Sequence, residues 1–305
     1  MLDLHRLQLL HHFAQQGSIA ATAQALGYSP SAVSQQLATL ERETGVALLD
    51  RTARSAELTI LGRRLATHAA RVLDAVEQAE VDLAAHTGAP TGPIHIAAVP
   101  SAAVAFAPSL ASLRLAHPGL EIVVRQAPPD EALARLRARD ADVAIIDDHG
   151  TLDHAVTARL HREVLLVDPM VLAVGREHPL TAEDGPVSLA ELAPGPWVCA
   201  PVGEPSRTAF DAVLAAAGAR PGTVWEFEGL ATIATLVGDG VGIAVLPELA
   251  ISTPHRERVT SLALPRPAAR SILALSRTSS RMRPAIEVTL SALRAAARHL
   301  RSAAA

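Results

Sequence analysis

Residues 18–41, SIAATAQALGYSPSAVSQQLATLE, decide the fold of the amino-terminal part of the chain. Ser18 is a good helix cap, and the small residues after it suit a short helix packed closely between two others. Gly27 stops that helix after about Leu26. Ser29 and Pro30 open the next one. Serine caps it, and proline takes the first helical position, where its missing N–H costs nothing. Val33, Leu37 and Leu40 fall on one face and belong to a core. Ser31, Ser34, Gln35 and Ala38 fall on the other, all of them compact and uncharged. A solvated face would look the same on an isolated helix. However, a major groove about 12 Å wide admits a helix whose leading side chains are short, and serine and glutamine can bond base edges there. Upstream, Leu4, Leu7, Leu10, Phe13 and Ala14 mark one face of a first helix that ends at Gly17. Short helices joined by tight glycine turns favour the groove reading.

The charge distribution agrees. The whole chain of 305 residues carries a net charge of −4, whereas residues 51–71 hold five arginines against Glu57 alone, a local +4. Leu48, Leu49 and Leu58 can anchor a two-stranded wing that leaves Arg51 and Arg54 near phosphates or the minor groove. The candidate DNA-binding residues are therefore Ser29, Pro30, Ser31, Ser34, Gln35, Gln36, Arg51 and Arg54. Arg63 and Arg64, at the start of the following helix, add to the basic surface. Aromatic residues make up only 2% of the chain, which argues against a platform for stacking single-stranded bases. All 27 basic side chains are arginine, a trait of codon usage and not of mechanism.

The same segment resembles the winged helix-turn-helix of LysR-type transcriptional regulators. The family's A-A-x-x-L element and its serine-rich run ending in L-E are matched at Ala20–Leu26 and Ser29–Glu41, and its G-V-x-L…R-x-x-R…L-T-x-x-G run at Gly45–Gly62. Pro30 stands where glutamine is frequent, and Leu49 where phenylalanine is usual. Ile60-Leu61 replace a small residue. The first departure bears on which base is read; the others are changes of core volume.

Beyond residue 58 the pattern lengthens. Thr59 can cap a helix to about His86, ahead of the GAPTGP breaker at 88–93. Leu61, Leu65, Ala69, Val72, Val76, Ala79 and Leu83 have the spacing of a two-helix coiled coil. Packing of this helix on its own domain is the alternative. The resemblance implies a dimerising linker at 59–88, hence a homodimer or homotetramer on promoter DNA.

From residue 91 to 305, apolar runs such as IHIAAV (94–99) and VAIID (143–147) alternate with amphipathic stretches, which predicts a parallel sheet covered on both faces. Crossings near Val164–Val171 and Leu264–Arg270 divide it into two lobes, one of about 91–164 with 268–305, the other of about 165–267. PIHIAA at 93–98, ADVAI at 141–145 and VGDGVGIAVLP at 237–247 resemble the effector-binding domain of the same family. The resemblance implies an α plus α/β architecture: a winged helix-turn-helix at 1–58, a linker helix, and a two-lobed domain similar to periplasmic binding proteins. The resemblance implies a small-molecule effector in a cleft lined by Ser101, Ala102, Pro128, Asp147, Pro201, Val202, Ser206, Thr232 and Ile233. Ser101 and Thr232 fall where helices begin, so their hydroxyls and free N–H groups could hold an anion, or simply cap. The Asp147-Asp148-His149 run could select for or against charge, or be a plain loop.

Other chemistries lack a signature. There is no G-x-S-x-G, phosphate-loop or H-E-x-x-H pattern, so no catalytic residue, metal or cofactor is expected. Adjacent His11 and His12 point to different helix faces and make a poor metal pair. Cys199 is alone and reads as a small core residue. GDGVG at 238–242 precedes a strand, unlike a dinucleotide loop, which follows one. The polar amino terminus and the absence of a long apolar run point to a cytoplasmic protein without membrane contact. Double-stranded DNA, the effector, further copies of the chain and RNA polymerase are its expected partners. A solute-binding protein without DNA function is the alternative.

Overall fold

In a computed structural model, residues 1–51, 56–87, 89–150, 152–153, 157, 160–182, 187–251 and 253–304 are described. Three helices open the chain: α1 (Leu4–Gln16), α2 (Ile19–Leu26) and α3 (Pro30–Thr44). Asp3, Ser18 and Ser29 cap them, each accepting the backbone N–H three residues on at 3.0–3.2 Å. Leu9, Leu10, Phe13, Val33, Leu37 and Leu40 form their common core. Leu48 and Leu49 carry that core into the wing, β1 (Leu49–Arg51) antiparallel to β2 (Ala56–Leu58). Glu41 ties α3 to the wing, its Oε1 accepting the N–H groups of Leu48 and Leu49 at 2.9 Å each. A Cβ on Gly62 would collide with the Leu48 carbonyl oxygen, which explains why glycine follows the L-T pair.

Thr59 caps the long helix α4 (Ile60–Thr87), accepting from Gly62 N at 2.9 Å. Its 28 residues span about 42 Å. This helix has two working faces. Ala66, Ala69, Leu73 and Val81 are buried within the chain, while Leu61, Val72 and Leu83 stay 47%, 43% and 72% exposed. The anticipated coiled-coil seam therefore needs amendment: its Ala69 is buried and its Leu65 packs against the amino-terminal core, while Leu61, Val72, Ala79 and Leu83 are left open.

The remaining strands and helices are β3 (Gly92–Ala98), α5 (Pro100–Ala116), β4 (Leu120–Gln126), α6 (Pro129–Ala138), β5 (Val143–Asp148) and β6 (Leu160–Gly175). Then come α7 (Leu189–Leu192), β7 (Pro196–Cys199), α8 (Pro205–Ala216), β8 (Thr223–Glu226) and α9 (Leu230–Gly238). Strands β9 (Ala244–Pro247), β10 (Val259–Ala263) and β11 (Ala269–Arg277) precede α10 (Pro284–Ala304), with a one-turn helix at Thr253–Arg256. The main sheet runs β10-β6-β11-β5-β3-β4, with β9 also on β6.

It is mixed and not parallel throughout. Strands β4, β3 and β5 are parallel, but β11 is antiparallel to β5 and β6, and β9 and β10 are antiparallel to β6. Continuous apolar runs report burial on both faces and carry no information on direction, hence the difference. The 16-residue β6 serves both lobes, pairing with β11 up to Pro169 and with β9 and β10 from Met170. Beyond that point its side chains alternate between two cores. Met170, Leu172 and Val174 join Trp197, Phe210 and Leu214, whereas Val171 and Ala173 join Ile233, Val237 and Leu246. Among the described residues no helix is long and apolar enough to cross a membrane.

Candidate DNA-binding face and effector site

The leading end of α3 is presented to solvent. Ser29, Pro30, Ser31 and Gln35 are exposed and Ser34 is half-buried. Ser29 Oγ and Ser31 Oγ lie 3.0 Å apart. Gln36 departs from expectation. It follows Ser34 and Gln35 in sequence but lies around the helix between the core positions Val33 and Leu40 and the surface, and Arg6 Nε of α1 donates to its Oε1 at 3.4 Å. It is turned toward α1 and away from the exposed face. Arg51 ends β1 opposite Ala56, and Arg54 lies outside the described residues. Arg63 is committed to the wing through a 2.6 Å bond from Nη1 to the Leu58 carbonyl, while Arg64 is exposed.

The second site forms where β6 and β11 pass between the lobes. Arg270, only 2% exposed, donates from Nε to Asp168 Oδ2 at 2.8 Å and from Nη1 to Asp147 Oδ2 at 2.7 Å. Its Nη2 reaches Ser101 Oγ at 2.8 Å, and Leu249 N donates to Asp168 Oδ1 at 2.9 Å. His149 Nε2 stands 3.5 Å from Asp147 Oδ2. Burial works against the charge of Asp147, but His149 and Arg270 together hold its carboxyl below the usual carboxylate range. At Asp168 burial prevails over Arg270 and pushes the carboxyl up.

Of the residues expected in the cleft, Ser101 and Asp147 are brought together by Arg270. Ser101 is not the cap of α5; Val99 holds that position and makes no side-chain cap bond. Pro128 is exposed at the start of α6, Val202 is 75% exposed, and Pro201 and Ser206 are half-buried near the start of α8. Thr232 is exposed in the first turn of α9, whose cap is Gly229. Two expectations are corrected: Ala102 and Ile233 have no exposure and their side chains belong to the cores of the two lobes. Each follows a candidate hydroxyl, and on a helix the next residue points about 100° away, here inward.

A cavity of about 800 Å³ lies beside this cluster, bounded by Met170, Leu189, Val213, the Pro265–Ala269 segment and His149. Gly203 and Pro205 bring the expected 201–206 stretch to its wall. Arg270 and Asp168 escaped the sequence reading. Their signal was a charge next to an apolar run at each crossing, Asp168 after VLLV and Arg270 before SILALS, since a charge buried there must be paired. Cys199 is buried with the core of the second lobe, and burial pushes its thiol up, away from reactivity.

Comparison with known proteins gives these features a common setting. A model of the bacterial regulatory helix-turn-helix protein of the lysR family matches residues 4–63, and one of the LysR substrate binding domain matches residues 87–298. The chain belongs to the LysR family. It is 30% identical over 254 residues to the HTH-type transcriptional regulator YfeR of Shigella flexneri, covering 83% of this chain and 80% of that protein. YdcI of Escherichia coli is 32% identical over 222 residues, 70% of each chain. Full-length OxyR from Pseudomonas aeruginosa, solved as a cysteine variant, has the same fold with a TM-score of 0.68 at 21% identity, over 96% of this chain and 98% of that one. Full-length BenM follows at 0.53 and 20%, over 99% and 97%. This LysR-type chain is thus a DNA-binding transcriptional regulator with an effector-binding domain, and the solute-binding alternative is set aside. Its relatives are regulators and not enzymes.

Proposed function

We propose that two or more copies of this LysR-type regulator join along α4 in the cytoplasm and set paired α3 helices in successive major grooves of promoter DNA. The observation that carries this reading is the exposed, capped end of α3, where Ser29, Ser31 and Gln35 are free of the core that holds Val33 and Leu37. The outward stripe of Leu61, Val72 and Leu83 supports pairing, because apolar side chains in a row on one helix face are stabilised by a second helix. A small molecule held between the lobes, beside Arg270, Asp147 and His149, adjusts the arrangement, and contact with RNA polymerase conveys it. Footprinting over promoter fragments, including the region upstream of the gene itself, tests the core of this reading. Two protected half-sites about one or two helical turns apart are expected. Uniform weak protection with no preferred site would sink it.

A further inference from the structure

Strand β11 carries a buried arginine at each end. Arg270 lies in the effector site, and Arg277 lies against the linker helix, seven residues and about 23 Å farther along. Arg277 grips Glu77 of α4 twice, from Nε at 3.1 Å and Nη2 at 2.8 Å. Its Nη1 donates to the carbonyls of Leu136 and Ala141 at 2.9 and 2.5 Å, and Nη2 stands 3.4 Å from Asp142 Oδ1. Arg139 approaches the same helix from the end of α6, bonding Glu77 Oε2 at 2.6 Å and Asp74 Oδ1 at 2.5 Å. Ser279 adds a 2.7 Å bond to Glu77 Oε2. Arg139 holds a left-handed backbone (φ 69°) where glycine is the usual helix terminator. From that place its guanidinium spans to both acids.

The contact extends to the DNA-binding helices. His11 and His12 of α1 are buried against the same end of α6, His11 Nε2 lying 3.0 Å from the Arg137 carbonyl and His12 Nδ1 3.9 Å from Asp140. Arg137 of α6 with Arg139 and Asp140 just after it, Asp74 and Glu77 from α4, and Arg277 and Ser279 from the end of β11 thus complete one polar junction. Between its two arginines β11 is paired on both sides, with β5 and with β6, so it moves as a unit with its neighbours.

We infer that the effector domain clamps the linker helix of its own chain through Glu77, and that β11 joins this clamp to the effector site. A change in how Asp147 and Ser101 hold Arg270 then alters how Arg277 holds Glu77, and with it the stance of α1 and α3. The inference rests on the effector-site reading, yet its test needs no ligand. It compares Glu77→Gln, Asp147→Asn and the double variant in the full-length protein, by amide hydrogen exchange in α4 and by footprinting on a two-half-site duplex. Glu77→Gln speeds exchange around residues 73–83 by about tenfold and shifts the footprint spacing, at unchanged affinity for a single half-site. Asp147→Asn speeds the same amides about threefold, and adds nothing once Glu77 is replaced, the non-additivity that marks coupled sites. Should Asp147→Asn fail to fold, Ser101→Ala removes an acceptor of Arg270 without changing charge. Unaltered α4 exchange in Glu77→Gln overturns the clamp. Additive effects overturn the β11 link. Thermal shift of the wild type with hexanoate, hexanol and hexylamine reads the effector site separately: coupling without any shift would support the link and count against that site.

Discussion

Two arginines on one strand, Arg270 and Arg277, face similar surroundings and are used differently. Each is almost wholly buried and each meets two carboxylates, with one neutral acceptor at Arg270 and two at Arg277. Arginine has five N–H donors. Arg277 spreads bonds to Glu77, Asp142 and two backbone carbonyls over all three of its nitrogens, so it is saturated. Arg270 makes one bond from each nitrogen, all to side chains that frame the space between the lobes. The first arrangement is a lock between structural units. The second uses fewer of its donors, and its neighbours His149 and Ala269 line the cavity.

The largest effect should come from opening the lock. Glu77→Ala removes the carboxylate shared by Arg277 and Arg139, leaving them only Asp142 and Asp74 as acids, and should cost about 3 kcal/mol, read by denaturant unfolding. Asp147→Ala should cost clearly less, because Arg270 retains Asp168; equal losses would erase the distinction between the clusters. Replacing arginine by lysine sharpens it. Lysine has three donors, enough for the bonds of Arg270 and too few for those of Arg277, so Arg277→Lys should cost about 2–3 kcal/mol and Arg270→Lys about 1.

Acid should also separate the two ends. Burial, with His11 and Arg139 assisting, lowers the pKa of His12 from 6.5 to about 4, so its contribution to stability is complete above pH 6.5 and is lost as pH falls toward 4. Asp140 is raised by burial from 3.8 to about 6, and acts in the opposite sense, stabilising as pH falls through that window. Asp140→Asn removes the compensation. Its junction should weaken between pH 6.5 and 4 by on the order of 2 kcal/mol more than that of the wild type, measured by hydrogen exchange in α1. Glu77 follows at lower pH. Although burial opposes its charge, Arg277, Ser279 and Arg139 bring its pKa from 4.5 to about 2, so its contribution is present above pH 4.5 and lost below. The effector cluster should respond less, since Asp147 and Asp168 are shifted in opposite directions. The smallest effect is expected where charge is exposed: Arg64→Ala should leave stability alone and reduce the salt dependence of DNA binding by about one counterion, in contrast to both buried arginines.

Local chemistry made the DNA-binding part legible. Ser18, Gly27, Ser29 and Pro30 set helix ends by themselves, and every one does so in the structure. The candidate groove face followed from spacing, except that Gln36 stands on the boundary between faces and is drawn to Arg6, thirty residues away. The candidate effector site was legible only in the residues at strand and helix ends, such as Ser101 and Asp147. Its organising pair, Arg270 and Asp168, is separated by 102 residues, and the Glu77–Arg277 pair by 200. No local pattern relates such positions. Strand direction was equally hidden, because a run like VAII at 143–146 is buried at every position whichever way it points.

The continuity of β6 has a mechanical consequence. Because one unbroken strand is the backbone of the sheet in both lobes, sliding them past each other would break its ladder with β11 or with β9 and β10. Twisting about the strand near Pro169–Met170, where its partners change, would not. The lobes are therefore left with torsion as their soft coordinate, and Asp168 and Arg270 sit on the axle, where a small rotation moves charge very little and distant surfaces a great deal.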